Sequence, residues 1–330
     1  MIIIEASHIS FGGGYTLLLE LLNNLSSRSI SNNVFIAHRE VYIELKKKQF
    51  KNSNLILTTT IKTLWRYIKK RENIIYFSNL PPFTQNKKAI VYFHNELILE
   101  QNRYNFINTR YFIYYYWLRY FIKNVDVVAC QTNNISNGLR KVGAKNISKL
   151  PFFEKYTPNI TVNKKYTFCY ICSGAPHKNV ERLFEAIKQL IVKYNIYLAI
   201  TIENCKANTQ LLEQFDAINR NAGKDIIINY GLVSKEKVLE IYQASEALVF
   251  PSLKESLGLP LIEANMCGIK VLSSDLPYSH EVLNFPIVFN PYESKEIAES
   301  LELFINGKYD GITQTLKVKN KIENLINLIK

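Results

Sequence analysis

Glu255 and Glu263 flank the stretch Ser256-Leu-Gly-Leu-Pro-Leu261. The apolar run Ala247–Phe250 reads as a strand halted by Pro251. Pro260–Cys267 reads as a helix, with Gly258 freeing the backbone before it and Pro260 suited to its first position. The first N–H groups of a helix have no intrahelical partner and carry partial positive charge, so Ser256, Leu257, Gly258 and Leu259 offer backbone to an anion. Two carboxylates beside such a site cannot hold the anion, since like charges repel. They can accept hydrogen bonds from hydroxyl groups on either side of it, and a phosphate with a sugar on one side and a ribose on the other fits that spacing. Taken alone, the pair is more simply a helix-start acid and a surface acid.

An anion of that kind calls for protein cations. Ser173-Gly-Ala-Pro-His-Lys-Asn-Val-Glu-Arg-Leu183 supplies them between a strand and a helix, with His177 and Lys178 in the turn. Gly12-Gly-Gly-Tyr-Thr16 lies in a similar strand-to-helix position, where Gly13 and Gly14 let a ligand approach the backbone closely. It is not GxGxxG, and the second strand does not end in an acidic residue, so dinucleotide binding is poorly supported. His94 closes the strand Ala89–Phe93, at the end where α/β folds place ligand-contacting groups. His8, near the glycines, is a minor candidate; His38 and His280 have no assigned role. The sequence contains no Asp-x-Asp motif, and no metal or other cofactor is expected.

These residues need a frame, and the hydrophobic pattern provides one. Short apolar runs at Ile2–Ala6, Asn33–Ala37, Asn54–Leu57, Ile74–Phe77, Ala89–Phe93, Val125–Gln131 and Asn146–Leu150 alternate with amphipathic stretches such as Thr16–Leu25, Arg39–Lys48 and Asn133–Val142. The second half repeats this. Strands are expected at Tyr166–Cys172, Ile196–Ile202, Ile226–Tyr230, Ala247–Phe250, Lys270–Ser273 and Ile287–Phe289. Helices are expected at Val180–Tyr194, Thr209–Asn221, Lys235–Ala244, Pro260–Cys267 and Ser294–Ile305. Alternation of this kind specifies α/β folding with parallel sheets covered by helices. A length of 330 residues suits two such domains. The expected arrangement is an N-terminal Rossmann-like domain over 1–155, a C-terminal one over 156–310, and a C-terminal helix in 311–330, about Thr315–Lys330, that could pack on either, including back on the N-terminal one.

The net charge of +13 favours anionic partners such as nucleotide phosphates or an acidic membrane face. No apolar run approaches the ~18 residues that span a bilayer, and Met1-Ile-Ile-Ile-Glu5 lacks the basic start of a signal peptide. A cytoplasmic protein is expected, peripheral to the inner membrane face at most. Lys46–Lys48 and Lys69–Arg71 read as solvated helix ends. Cys169 and Cys172, three apart on an expected strand, face opposite ways, so buried thiols are favoured over a metal or redox pair. The Tyr104–Phe121 segment holds ten aromatics among arginines. Core packing, a membrane or a lipid-linked acceptor could each use it; no motif supports nucleic acid.

Glu255 and Glu263 with the Pro-Ser before them, the Tyr230–Ser252 lead-in, and Gly268–Pro277 with Glu281-Val after them together resemble the retaining GT-B glycosyltransferases of family 4 (glycosyl transferases group 1). The resemblance covers about residues 166–305 and is looser upstream. It implies a GT-B fold, two Rossmann-like doubly wound lobes facing a central cleft. It also implies metal-independent transfer of a sugar from a nucleotide-sugar donor to a saccharide or lipid-linked saccharide acceptor. By analogy with the family the chain would act in surface polysaccharide assembly, O-antigen or capsule. Glu255 would then contact the donor sugar, Glu263 the ribose, Ser256 to Leu259 the diphosphate, and Lys178 a phosphate. His94 would reach the reacting sugar, and the Gly13–Gly14 turn would line donor phosphate and acceptor. Where the family usually has an arginine before the lysine, this chain has His177. A sugar-nucleotide epimerase of the same shape and a non-catalytic glycan- or partner-binding member are the alternatives.

Overall fold

The computed structural model describes residues 1–69, 73–86, 88–99, 109–156, 158 and 162–330. Lys70 and Arg71 of one basic run, residues 104–108 of the aromatic segment, and residues 157 and 159–161, just past the expected domain boundary, lie outside the described residues. The chain divides into two compact units, Met1–Glu154 with Lys319–Lys330, and Lys155–Val318.

The first unit carries β1 (Ile2–Glu5), α1 (Gly13–Ser27), β2 (Asn32–Ile36), α2 (Arg39–Lys47), β3 (Ser53–Leu57), α3 (Thr60–Ile68), β4 (Ile74–Tyr76), β5 (Ala89–Phe93), α4 (Thr109–Phe121), β6 (Val127–Cys130), α5 (Asn133–Lys141) and β7 (Ile147–Lys149). Its seven strands are parallel, in the order β3-β2-β1-β4-β5-β6-β7. β5 is buried at every position, as expected where helices cover both faces of a sheet. Leu17, Leu18, Leu21, Leu22 and Leu25 form the buried stripe of α1, at the three- and four-residue spacing of a helix face.

The second unit carries β8 (Tyr166–Tyr170), α6 (Val180–Leu190), β9 (Leu198–Ile200), α7 (Thr209–Ala222), β10 (Ile227–Asn229), α8 (Lys235–Gln243), β11 (Ser245–Phe250), α9 (Leu259–Met266), β12 (Lys270–Ser274), α10 (Pro277–Val282), β13 (Leu283–Asn284), β14 (Ile287–Phe289), α11 (Ser294–Ile305) and β15 (Thr315–Leu316). Six parallel strands run β10-β9-β8-β11-β12-β14, and β13 pairs antiparallel with β15. Both large sheets are therefore wound outward in two directions from a central pair, β1/β4 in one unit and β8/β11 in the other. Such an order leaves a crevice at the carboxyl ends of the central strands.

Three expectations need correction. The last helix is α12 (Ile322–Ile329) alone, because Thr315–Leu316 is held as a strand and Lys317 donates its N–H to Val282. α12 packs in the first unit against α1, where Glu323 pairs with Arg28. Helix α6 stops at Leu190, short of Tyr194. Gly13 and Gly14 are the first two residues of α1 rather than a loop before it; the non-helical residue is Gly12, with φ 116°.

One ion pair governs the carboxyl end of β1. The Glu5 carboxylate is fully buried, bonded to the Arg66 guanidinium and accepting the Ser7 N–H at 3.1 Å. Arg66 also donates to the Thr58 and Thr63 hydroxyls, both at 3.0 Å, and lies 4.1 Å over the Phe35 ring. Each charge is thus paired and further hydrogen-bonded, the condition for a buried pair to persist. Arg66→Met leaves Glu5 charged and unpaired. Urea unfolding should show a loss of about 3–5 kcal/mol for that variant, most of it recovered when Glu5→Leu is added. Full stability of Arg66→Met would contradict this role for the pair.

Candidate functional site

The loops that follow β8 and β11 leave the second sheet side by side, since these strands pair through Ser245–Tyr166, Ala247–Phe168 and Leu248–Cys169. The first loop makes a tight turn over Pro176–Lys178 and the second carries Glu255. The His177 carbonyl joins them, accepting the Leu253 N–H at 2.8 Å and the Ser252 hydroxyl at 3.2 Å. Asn179 secures the arrangement. Its side-chain amide donates to the Pro251 carbonyl at 3.1 Å and to the Pro291 carbonyl at 2.7 Å, and its oxygen accepts from Arg182 at 2.8 Å. Its φ of 58° is left-handed, a conformation asparagine tolerates better than most residues. Tyr170, from β8, donates to the Lys178 carbonyl at 2.6 Å, and Tyr278 donates to the Ser252 carbonyl at 2.7 Å.

This framework brings Lys178 Nζ to 2.5 Å from Glu255 Oε1. Their side chains are only 15% and 13% exposed, so the pair is mostly withdrawn from water. The ammonium also lies 5.6 Å from the centre of the Phe250 ring, a face that attracts cations. A poorly hydrated lysine held by one carboxylate is well suited to an incoming anion, because screening by water is weak there.

The second loop ends at Gly258, whose φ of 76° caps α9. A side chain there would sit at ordinary contact distance from Leu261 and Tyr278, so the requirement for glycine is conformational rather than steric. Leu259 opens the helix and Pro260 follows it, one position later than expected. Leu257 is buried. Glu263, 7% exposed, has both carboxylate oxygens engaged: Lys235 pairs with Oε1, and the Tyr242 hydroxyl donates to Oε2 at 3.2 Å. Lys235 lies 4.8 Å over the Tyr156 ring. The structure thus brings together His177, Lys178, Glu255 and the start of α9, with Glu263 one turn deeper.

In the first unit, Gly14 and His94 are neighbours. A Cβ at Gly14 would stand 2.9 Å from His94 Cε1, so the glycine provides room for the imidazole. His94 Nε2 lies 2.9 Å from the Phe77 carbonyl, and the His94 N–H donates to Asn79 Oδ1 at 2.7 Å. Burial pushes the imidazole down to about 4, so it is neutral at physiological pH. A neutral ring donating through Nε2 to Phe77 keeps Nδ1 as an acceptor. His8 is also pushed down to about 4, by burial first and then by Arg110 and His38. Its ring meets Tyr67 and Tyr114 edge-on.

Asn179, Lys235, Tyr242 and Asn79 were not singled out by type or spacing. A non-glycine residue in a left-handed turn before a helix leaves no mark on hydrophobic periodicity, and Lys235 reads as an ordinary helix-start lysine. Cys172 lies two residues past the end of β8, and both it and Cys169 are buried, free and pushed up to about 12 by burial. A cavity of about 360 Å³ lined by Thr167, Tyr194, Glu246 and Asp310 opens at the amino edge of the second sheet, away from the edge where wound sheets bind ligands.

Residues 153–323 match the sequence family described as Glycosyl transferases group 1. The chain is 27% identical over 252 residues to the O-antigen chain mannosyltransferase RfbU of Salmonella typhimurium, covering 75% of this chain and 64% of that protein. Over 134 residues it is 29% identical to the serotype-specific mannosyltransferase WbdA of Escherichia coli, covering 38% of this chain and 16% of that protein. The chain therefore spans less than two thirds of the length of these relatives. Among solved structures, WaaG, a glycosyltransferase involved in lipopolysaccharide biosynthesis, gives a TM-score of 0.68 at 14% identity, over 100% of this chain and 99% of that one. Anabaena HepE in complex with UDP and glucose gives 0.70 at 12% identity, over 99% and 94%. At such identities the likeness establishes the fold, the two Rossmann-like domains of GT-B glycosyltransferases. Since the family match spans more than half of its length, the chain belongs to the Glycosyl transferases group 1 family.

Proposed function

We propose that this chain is a retaining, metal-independent glycosyltransferase of family 4, moving a hexose from a nucleoside-diphosphate sugar to a saccharide acceptor in surface polysaccharide assembly. The observation that carries this reading is the Lys178–Glu255 pair beside the start of α9, with Glu263 buried one turn inside the helix. The names of the relatives RfbU and WbdA make mannose the first sugar to test, and a lipid-linked saccharide is the acceptor class favoured by the polysaccharide assignment.

In the reaction, the bond between the sugar C1 and the diphosphate oxygen breaks and a bond from C1 to the acceptor oxygen forms. The acceptor's proton passes to the departing phosphate. Charge accumulates on the leaving diphosphate, where a prepositioned cation and helix N–H groups stabilise it most. Lys178 is assigned to that charge, with His177 and the backbone of Ser256, Leu257, Gly258 and Leu259. Glu255, already hydrogen-bonded by Lys178, is assigned to the donor sugar hydroxyls, and Glu263 to the ribose. His94, neutral and with Nδ1 as an acceptor, is assigned to the transferred sugar. Gly13 and Gly14, the first residues of α1, are assigned to close approach of donor phosphate and acceptor.

Three outcomes are expected. In EDTA, one nucleoside diphosphate at about 100 times its Kd should raise the melting temperature measurably, since binding at that level adds roughly 2.7 kcal/mol. A melt unchanged by every common nucleotide and nucleotide sugar would overturn the donor assignment. Lys178→Ala should lower kcat/KM about 100- to 1,000-fold, as expected for losing one stabiliser of developing charge. Glu263→Ala should weaken nucleotide binding about tenfold, or ~1.4 kcal/mol. Wild-type kinetics in both variants would refute these roles.

The third outcome concerns acid stability. His94 takes up its proton near pH 6.5 when unfolded but only near pH 4 when folded. Its contribution is therefore fully present above pH 6.5 and is lost as the pH falls towards 4. Across that window the wild type should lose stability more steeply than His94→Gln. Parallel curves would show that His94 is not held neutral.

A further inference from the structure

The Glu263 carboxylate is nearly sealed inside α9. An ionised carboxylate has about four lone-pair sites, two on each oxygen. Protein donors fill one on each side. Lys235 pairs with Oε1, and the Tyr242 hydroxyl donates to Oε2. Among the described residues these are the side chains that donate to this carboxylate. One acceptor site on each oxygen therefore stays open.

Both donors are themselves fixed. Ser234 caps α8 by accepting the Lys237 N–H, which sets Lys235 at the first position of the helix. The Lys235 ammonium is held on a second side by the Tyr156 ring, 4.8 Å from its centre. Tyr242 is fully buried near the other end of α8, so packing sets the direction of its hydroxyl. Burial, and then the Glu263 charge, push its ionisation well above the usual phenol range, so it stays a donor. One contact would be enough to tie α8 to α9. Two contacts, from opposite ends of α8 to separate oxygens, also fix the rotation of the carboxylate.

We propose that Lys235 and Tyr242 are positioning residues that set the Glu263 carboxylate to receive a vicinal diol, one hydroxyl on each oxygen, and so make the site select ribonucleotides over deoxyribonucleotides. The inference rests on the donor-site reading, in which Glu263 meets the ribose. Two open sites on a carboxylate of fixed rotation match two neighbouring hydroxyls. A hydrogen bond to a charged acceptor is strong, and it weakens steeply once misaligned. A carboxylate free to turn would therefore keep its charge and lose much of its preference for the diol. Lys235 and Tyr242 act through Glu263 and take no part in the bonds that break and form.

The test uses the full chain and titration calorimetry with UDP, GDP, ADP and CDP and with the 2′-deoxy form of each. For the nucleotide that binds, the wild type should prefer the ribose form by about tenfold or more, the worth of one hydrogen bond to a charged group. In Lys235→Met and in Tyr242→Phe that preference should shrink at least about threefold, as expected for residues coupled to the same contact. The preference is the readout that a merely structural role would not move. Removing the Lys235 charge, or loosening α8, weakens both forms of the nucleotide alike and leaves their ratio unchanged. Tyr242→Phe deletes only a hydroxyl, so it keeps the proposal testable if the loss of Lys235 destabilises α8. An unchanged ratio in either variant would overturn the role of that residue, with the donor reading intact. Equal binding of ribose and deoxyribose forms by the wild type would overturn the proposal as a whole. Absence of binding by all of these nucleotides would instead overturn the donor reading, and the inference with it.

Discussion

The candidate donor site depends on one side-chain amide. Asn179 spans from the turn after β8 to carbonyls in the loops after β11 and β14. Those carbonyls would otherwise lose their hydration without a partner, so each bond ties a loop whose alternative is an unsatisfied buried group. The three loops belong to elements far apart in sequence, and parallel winding alone brings only their roots together. The amide converts neighbouring roots into a fixed spacing between Lys178 and Glu255. Its left-handed backbone is strained for most side chains, and the same turn that carries the strain aims Lys178 at the mouth of β11.

A comparable logic operates at the carboxyl end of β5. His94 is held from behind by Phe77 and Asn79 and bounded in front by Gly14. Burial keeps the ring neutral, and hydrogen bonding chooses which nitrogen donates. The same packing that lowers proton affinity also fixes the ring's orientation, so a change at Gly14 would alter both. This links a sequence feature readable as a flexible loop to a different physical demand, space for an imidazole beside the first turn of a helix.

Among the described residues, hydrophobic periodicity was enough to locate all thirteen strands of the two large sheets, because alternation of buried strands and amphipathic helices is a property of local sequence. It placed element ends less well. α1 begins at Gly13, earlier than the apolar stripe requires, and α12 begins at Ile322, later than helix propensity alone suggests. In the candidate site, Lys178 and Glu255 stood out through resemblance, while the residues that hold them did not. Tyr242 and Lys235, which occupy both oxygens of Glu263, read as helix-core and helix-start residues, since their purpose appears only once α8 is placed beside α9. Positioning residues are defined by a tertiary neighbour and not by spacing.

α3 shows where periodicity misleads. An amphipathic helix is normally read as apolar face inward, and by that rule Ile61, Leu64, Trp65 and Ile68 would be core. A fully buried side chain of this size stabilises by roughly 1.5–3 kcal/mol, so facing them outward forgoes several kcal/mol. The competing demand is the Glu5 carboxylate at the end of β1, which is sealed from water and needs a cation. Leaving a buried charge unpaired costs about 3–5 kcal/mol, and Thr58, Thr63 and Phe35 add further contacts to the guanidinium that meets it. The two terms are of similar size, so the polar anchor is strong enough to decide the rotation of the helix against its own apolar pattern.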